Sequence, residues 1–125
     1  MRDKSGRFGV SVPEKASILS VSRHFDSTRN KEAVLTAFTE VFRTLAPKAT
    51  IYGIIPGHFK GIIQSGEAVC GISVTREDTI DVTANESWTS LSILDSFHVT
   101  VNLLTVIPCD ITREDLENAL DGFLK

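Results

Sequence analysis

Residues 67–85 read EAVCGISVTREDTIDVTAN. In the first half Ala68, Cys70, Ile72 and Val74 alternate with Val69, Gly71, Ser73 and Thr75; in the second, Ile80, Val82 and Ala84 alternate with Asp81, Thr83 and Asn85. A period of two is that of a strand with one buried and one wet face. Arg76-Glu77-Asp78 supplies polar turn chemistry between the halves, so the stretch predicts an antiparallel hairpin.

Towards the N-terminus, residues 53–63 read GIIPGHFKGII, a polar, aromatic and basic pentapeptide between two identical apolar triplets. The triplets suit buried β-structure, and Pro56-Gly57 fits a type II turn. Its twist matches a two-residue hairpin poorly. Residues 54–60 are therefore expected to form a wider loop, or a bend in an edge region, that exposes His58, Phe59 and Lys60. Residues 49–55 are a continuous apolar run, too short for a free helix, and read as a buried strand.

Further out, Val34, Phe38, Val41, Phe42 and Leu45 recur at steps of three and four, predicting a helix over 31–45 that Asn30 caps and Pro47 ends. Residues 17–22 read as a strand and 23–30 as a loop. Strand, helix and strand in that order predict an N-terminal βαβ crossover with parallel strands. Residues 1–15, with Phe8, Val10 and Val12 before Pro13, suit an N-terminal tail or an edge strand, leaving 16–125 as a single globular domain.

Towards the C-terminus, Trp88, Leu91 and Leu94 fit a short helix within 86–97, although Leu91 and Ile93 also fit a strand. Residues 98–107 are rich in β-branched side chains and read as a strand, with Val99, Val101, Leu103 and Thr105 on one face and His98, Thr100, Asn102 and Leu104 on the other. Thr112 and Asp115 have capping-box spacing, Ile111 and Leu116 that of a hydrophobic staple. Leu116, Ala119, Leu120, Phe123 and Leu124 form one apolar stripe, so the last helix covers 113–124.

The sum is an α+β fold, a two-layer α/β sandwich. A mostly antiparallel sheet of about five strands carries the two main helices, residues 31–45 and 113–124, on one face. A ferredoxin-like topology is the nearest familiar arrangement, although the extra central strands depart from it. The other face would be partly polar, with Ser73, Asp81, Thr83, His98, Thr100 and Asn102. Such sandwiches host many activities, so function has to be read from the residues.

A chain of 125 residues, 42% hydrophobic, can bury one core but hardly two. The first residues lack an apolar signal core and the longest apolar runs are far too short to span a bilayer, which predicts a cytoplasmic, non-membrane protein. Cys70 and Cys109 make no CxxC and read as two reduced, largely buried thiols. A net charge of -3 argues against a dedicated nucleic-acid binder. Yet residues 1–60 carry ten Lys or Arg against five Asp or Glu, and residues 61–125 three against eleven. If that polarity persists in space, it favours an anionic ligand or pairing between copies.

The densest chemistry is His58-Phe59-Lys60, a proton carrier, an apolar wall and a cation in consecutive positions. His98 and Arg23 are the candidate assistants. No HExxH, HxxxH or paired-cysteine spacing supports a metal site, and no GxGxxG or P-loop supports a nucleotide cradle, so neither metal nor cofactor is expected. There is no GxSxG elbow. The expected function is a noncatalytic module that self-associates as a dimer and recognises a protein partner or an anionic small molecule. The first alternative is a small enzyme with His58 as general acid or base and Lys60 as electrostatic stabiliser, completed by His98 or Asn102. The second is an accessory subunit of a larger complex, which an apolar patch or a long unpaired edge strand would betray.

Overall fold

In a computed structural model, residues 17–125 are described; the expectation for residues 1–15 lies outside them. The chain runs β1 (Ser17–Phe25), β2 (Arg29–Asn30), α1 (Lys31–Ala49), β3 (Ile54–Ser65), β4 (Ala68–Arg76) and β5 (Thr79–Ala84). It continues with α2 (Glu86–Ser90), β6 (Ile93–Leu94), β7 (Phe97–Thr105) and α3 (Arg113–Gly122). Five strands make one sheet in the order β1-β7-β3-β4-β5, every neighbouring pair antiparallel, while β2 and β6 pair separately. The fold is the expected mixed α+β sandwich.

In the hairpin of residues 67–85 the second strand keeps Val82 and Ala84 exposed, while the first buries Ala68, Cys70, Ile72 and Val74. Those side chains, with Val21, Phe59, Ile63, Val99, Val101 and Leu103, face the apolar stripe of α1: Val34, Phe38, Val41, Phe42 and Leu45. Leu116 and Leu120 of α3 complete the core beside Ile111. Each helix starts where its cap lies. The Asn30 side chain accepts from the Ala33 amide at 3.0 Å, and Thr112 and Asp115 form the reciprocal capping box.

The region around Pro47 and Pro56 departs from expectation. Helix α1 passes Pro47 and ends at Ala49, because a proline in the last turn removes only one ladder bond. The buried strand expected over 49–55 is therefore absent. In its place Ile51 and Ile54 exchange backbone bonds of 2.8 and 3.1 Å across Tyr52 and Gly53, which both have positive φ, 54° and 78°. Two central residues of that hand make a primed turn, which reverses the chain directly into β3.

Pro56-Gly57 is not a turn either. The expected loop over 54–60 is part of β3, whose pairing with β7 runs without a break from Gly57 opposite Thr105 to Gln64 opposite His98. The irregularity falls on the β4 side, where the register jumps between Ile54 and Phe59. A missing proline amide is tolerated at such a bulge. The Pro56 carbonyl still accepts from the Val106 amide at 2.9 Å.

Both β1 and β3 are antiparallel to β7, so they run parallel to each other with β7 between them. The crossover thus joins strands that do not touch, and the strand filling the gap is the last in the chain. This split βαβ unit is what the sheet shares with the ferredoxin-like arrangement. Charged groups of the two halves meet in space at Arg23 with Asp121 and at Lys48 with Asp115.

Candidate functional site

Both main helices pack on one face of the sheet. The other face carries Ser20, Ser22 and His24 from β1, His98, Thr100 and Asn102 from β7, and His58, Lys60, Ile62 and Gln64 from β3. Gly71 and Ser73 of β4 continue it to Thr83 and Asp81 of β5. Register sets these side chains in rows across the strands. One row is Ser20, Asn102, Lys60, Ser73 and Asp81; the next is Ser22, Thr100, Ile62, Gly71 and Thr83; a third is His24, His98, Gln64 and Val69. All three histidines of the chain lie on this face.

Polar rungs tie β1 to β7 there. Ser20 Oγ donates to Asn102 Oδ1 at 2.7 Å, the Ser22 and Thr100 hydroxyls meet at 2.9 Å, and His24 Nδ1 lies 3.1 Å from His98 Nε2. On the β5 side of the sheet, Gly71 leaves a shallow hollow of about 380 Å³ bounded by Ile62, Val69, Thr83, Ala84 and Asn85. A separate groove of about 590 Å³ runs between α1 and α3, lined mainly by Ala37, Val41, Leu45, Ala119, Gly122 and Phe123.

The expected site divides between the two faces. His58 and Lys60 are exposed on the uncovered face, two positions apart on β3. Phe59, between them, points the other way by strand alternation and is fully buried against Phe42, with ring centroids 4.6 Å apart. It packs the core and cannot wall a surface site. Arg23 also turns to the helix side, where its Nε donates to Asp121 Oδ1 of α3 at 2.7 Å. His98 shares the face with His58 but pairs six residues along the strands, roughly 20 Å away at the usual strand rise. Asn102 is beside Lys60; His98 is not beside His58.

What sequence reading missed was His24. The alternation of Ser20 and Ser22 continues through it, but Arg23-His24-Phe25 was expected to be loop and so had no assigned face.

The ion pairs belong to the scaffold. The Asp121 carboxyl is held below the ordinary carboxylate range by the hydrogen bond from Arg23, whose guanidinium is raised in turn. The Asp115 carboxyl is lowered first by the Thr112 backbone amide, which donates to it at 2.9 Å. A carboxyl whose folded pKa is depressed stabilises the fold above its unfolded value and loses that contribution as the pH falls through the depressed one. The melting temperature should therefore fall on acidification through and below the ordinary carboxylate range. Replacing Asp115 and Asp121 together by asparagine should flatten that dependence; thermal melts showing the parental slope would contradict the assignment. Burial pushes the Cys70 thiol up, in keeping with a core side chain.

Lys31, at the start of α1, is buried. Its Nζ donates to the Trp88 carbonyl at 2.9 Å, lies 5.6 Å from the Trp88 ring centroid, and is 3.8 Å from a Glu32 oxygen. The lysine thus pins α2 to α1 rather than serving the open face.

No family model matches the chain. No curated protein matches it. Among solved structures, a Zn(II)-bound triple mutant of the YjiA GTPase is similar at 14% identity and a TM-score of 0.46, over 87% of this chain and 30% of that one. The chain thus spans less than a third of that structure's length, and a likeness this distant carries no argument about activity. No described helix is long and apolar enough to cross a membrane.

Proposed function

We propose that the chain is a noncatalytic binding module that self-associates and presents the uncovered face of its sheet to a protein partner or an anionic small molecule. The observation that carries this reading is that face itself, where Lys60 stands between Asn102 and Ser73 in a row of hydrogen-bonding side chains and none of the described helices covers it. Its chemistry suits recognition: hydroxyls, the Asn102 and Gln64 amides, the Lys60 cation and the Asp81 carboxylate are spread in rows across the sheet.

Self-association is supported by apolar side chains gathered at one end of the sheet. Tyr52 is 100% exposed, and Ile51, Ile54, Val106 and Ile107 are also exposed. The Val106 amide donates to the Pro56 carbonyl, which brings the end of β7 to the start of β3. Tyrosine is favoured in interface cores because it offers apolar area at small entropic cost.

Native mass spectrometry of gently purified protein, backed by sedimentation over a range of concentrations, tests both parts. A dimer is expected, shifted to monomer by Tyr52→Ser, with any bound anion visible as added mass. A monomer at every concentration with no retained ligand or partner would remove the reading.

A further inference from the structure

We propose that His24 and His98 form a surface chelate for one divalent late transition-metal ion of the zinc, nickel and copper class, a site independent of the self-association reading. The two residues are direct cross-strand partners, 74 positions apart in sequence. Their ring centroids are 4.3 Å apart with planes at 51°, and both side chains are exposed on the uncovered face.

The distance between the nitrogens favours a chelate. His24 Nδ1 and His98 Nε2 are 3.1 Å apart. An ion bonded to both at about 2.05 Å would subtend roughly 98° between them, a value lying between the right angle of square or octahedral sites and the tetrahedral angle. Without an ion, the same contact holds one proton between the two nitrogens. On metal binding that proton moves through solvent to the other nitrogen of its ring, so that both imidazoles stay neutral and each presents a lone pair to the ion.

The scaffold fixes the pair on both sides. Along the uncovered face, the Ser22–Thr100 and Ser20–Asn102 rungs hold the register one and two rows away. Through the sheet, the next pair, Phe25 and Phe97, stacks at 5.3 Å, and Phe123, just past α3, meets Phe25 edge-on at 5.6 Å. A one-residue slip of either strand would carry its histidine to the helix side, so the packing that sets the register also presets the chelate.

Ligand type and number define the ion. Two neutral imidazoles suit zinc, nickel and copper, whereas calcium and magnesium require oxygen donors. Among the described residues no group of three or more His, Cys, Asp or Glu can hold a metal ion. The described residues therefore supply two ligands and leave the other positions to water or to an incoming donor, which makes the ion exchangeable. Gln64 stands next in the row, beyond His98.

The test is a titration of the tag-free full chain with Ni(II), read by calorimetry and by paramagnetic broadening of the histidine ring signals. One ion per chain is expected, with His24 and His98 broadened together and His58 spared. His24→Asn and His98→Asn should each weaken binding by about ten-fold or more, since either leaves a single ligand, while His58→Asn should not change it. Unchanged affinity in the two paired variants, or broadening centred on His58 or spread equally over all three histidines, would overturn the proposal. The broadening is measured on the unsubstituted chain and does not depend on how the variants fold.

Discussion

Gly57→Ala is expected to destabilise the fold by about 3 kcal/mol or more, at the upper end for overpacked positions. A Cβ at this position would lie 1.9 Å from the Leu104 carbonyl oxygen, 2.8 Å from its carbon and 3.0 Å from Thr105 Cα. All three are backbone atoms of β7, so no side chain can rotate out of the way. Either β3 and β7 separate locally, breaking the ladder from Gly57 to Thr105, or the clash remains. Gly53→Ala is the natural control: its φ is +78° but nothing lies within 4 Å of the added carbon. It should cost only about 1 kcal/mol, from the backbone conformation alone. Urea melts of the two variants separate contact from conformation. Equal losses would mean that the close approach of the strands contributes nothing.

The second large effect belongs to Gly61, on the covered side of β3. An added Cβ would come within 2.4 Å of Phe42 Cζ and 2.8 Å of Phe38 Cε2. These rings pack edge-to-face at 5.2 Å, and Phe42 also meets Phe59 at 4.6 Å, so the aromatic cluster has little room to shift. Gly61→Ala should cost about 2–3 kcal/mol. Because the obstacle is a side chain, it can be trimmed. Combining Gly61→Ala with Phe42→Leu should cost less than the sum of the single changes, by about 1 kcal/mol or more. Strict additivity in a double-mutant cycle would show that Phe42 is not what excludes a side chain from position 61.

These glycines explain how one motif was read well and badly at once. The segment from Gly53 to Ile63 was legible as unusual because its repeat is unusual, and its outer triplets were legible as β-structure. Pro56-Gly57 misled because the same dipeptide satisfies a turn and a bulge; what decides between them is the closeness of β7, supplied by residues more than forty positions away. The helices and the hairpin were legible because periodicity and capping are local. Strand order was not, since no local pattern says that the last strand fills the gap between β1 and β3.

The candidate site follows the same rule. Phe59 and Lys60 are neighbours in sequence and on opposite faces in space, which alternation alone implies once residues 54–65 are known to be a single strand. His24 and His98 are far apart in sequence and touch, which only the β1–β7 register can produce. Spacing rules for metal ligands detect pairs within one element and are blind to a cross-strand pair of this kind.

Among the described residues β1 is an outer strand of the sheet, nine residues long, and its surroundings have a bearing on how the protein fails. The Ser20 carbonyl accepts from the Arg113 guanidinium at 3.0 Å and the Ser22 carbonyl from Arg23 at 2.9 Å, while Arg23 also grips Asp121. Helix α3 with its Arg113, together with Arg23 of β1 itself, acts as a stopper against a foreign strand zipping onto the border of the sheet. Protonating Asp121 loosens one end of that stopper. Acid below the ordinary carboxylate range should therefore promote fibre-like growth from that border, making the route of aggregation a property of a surface ion pair rather than of buried packing.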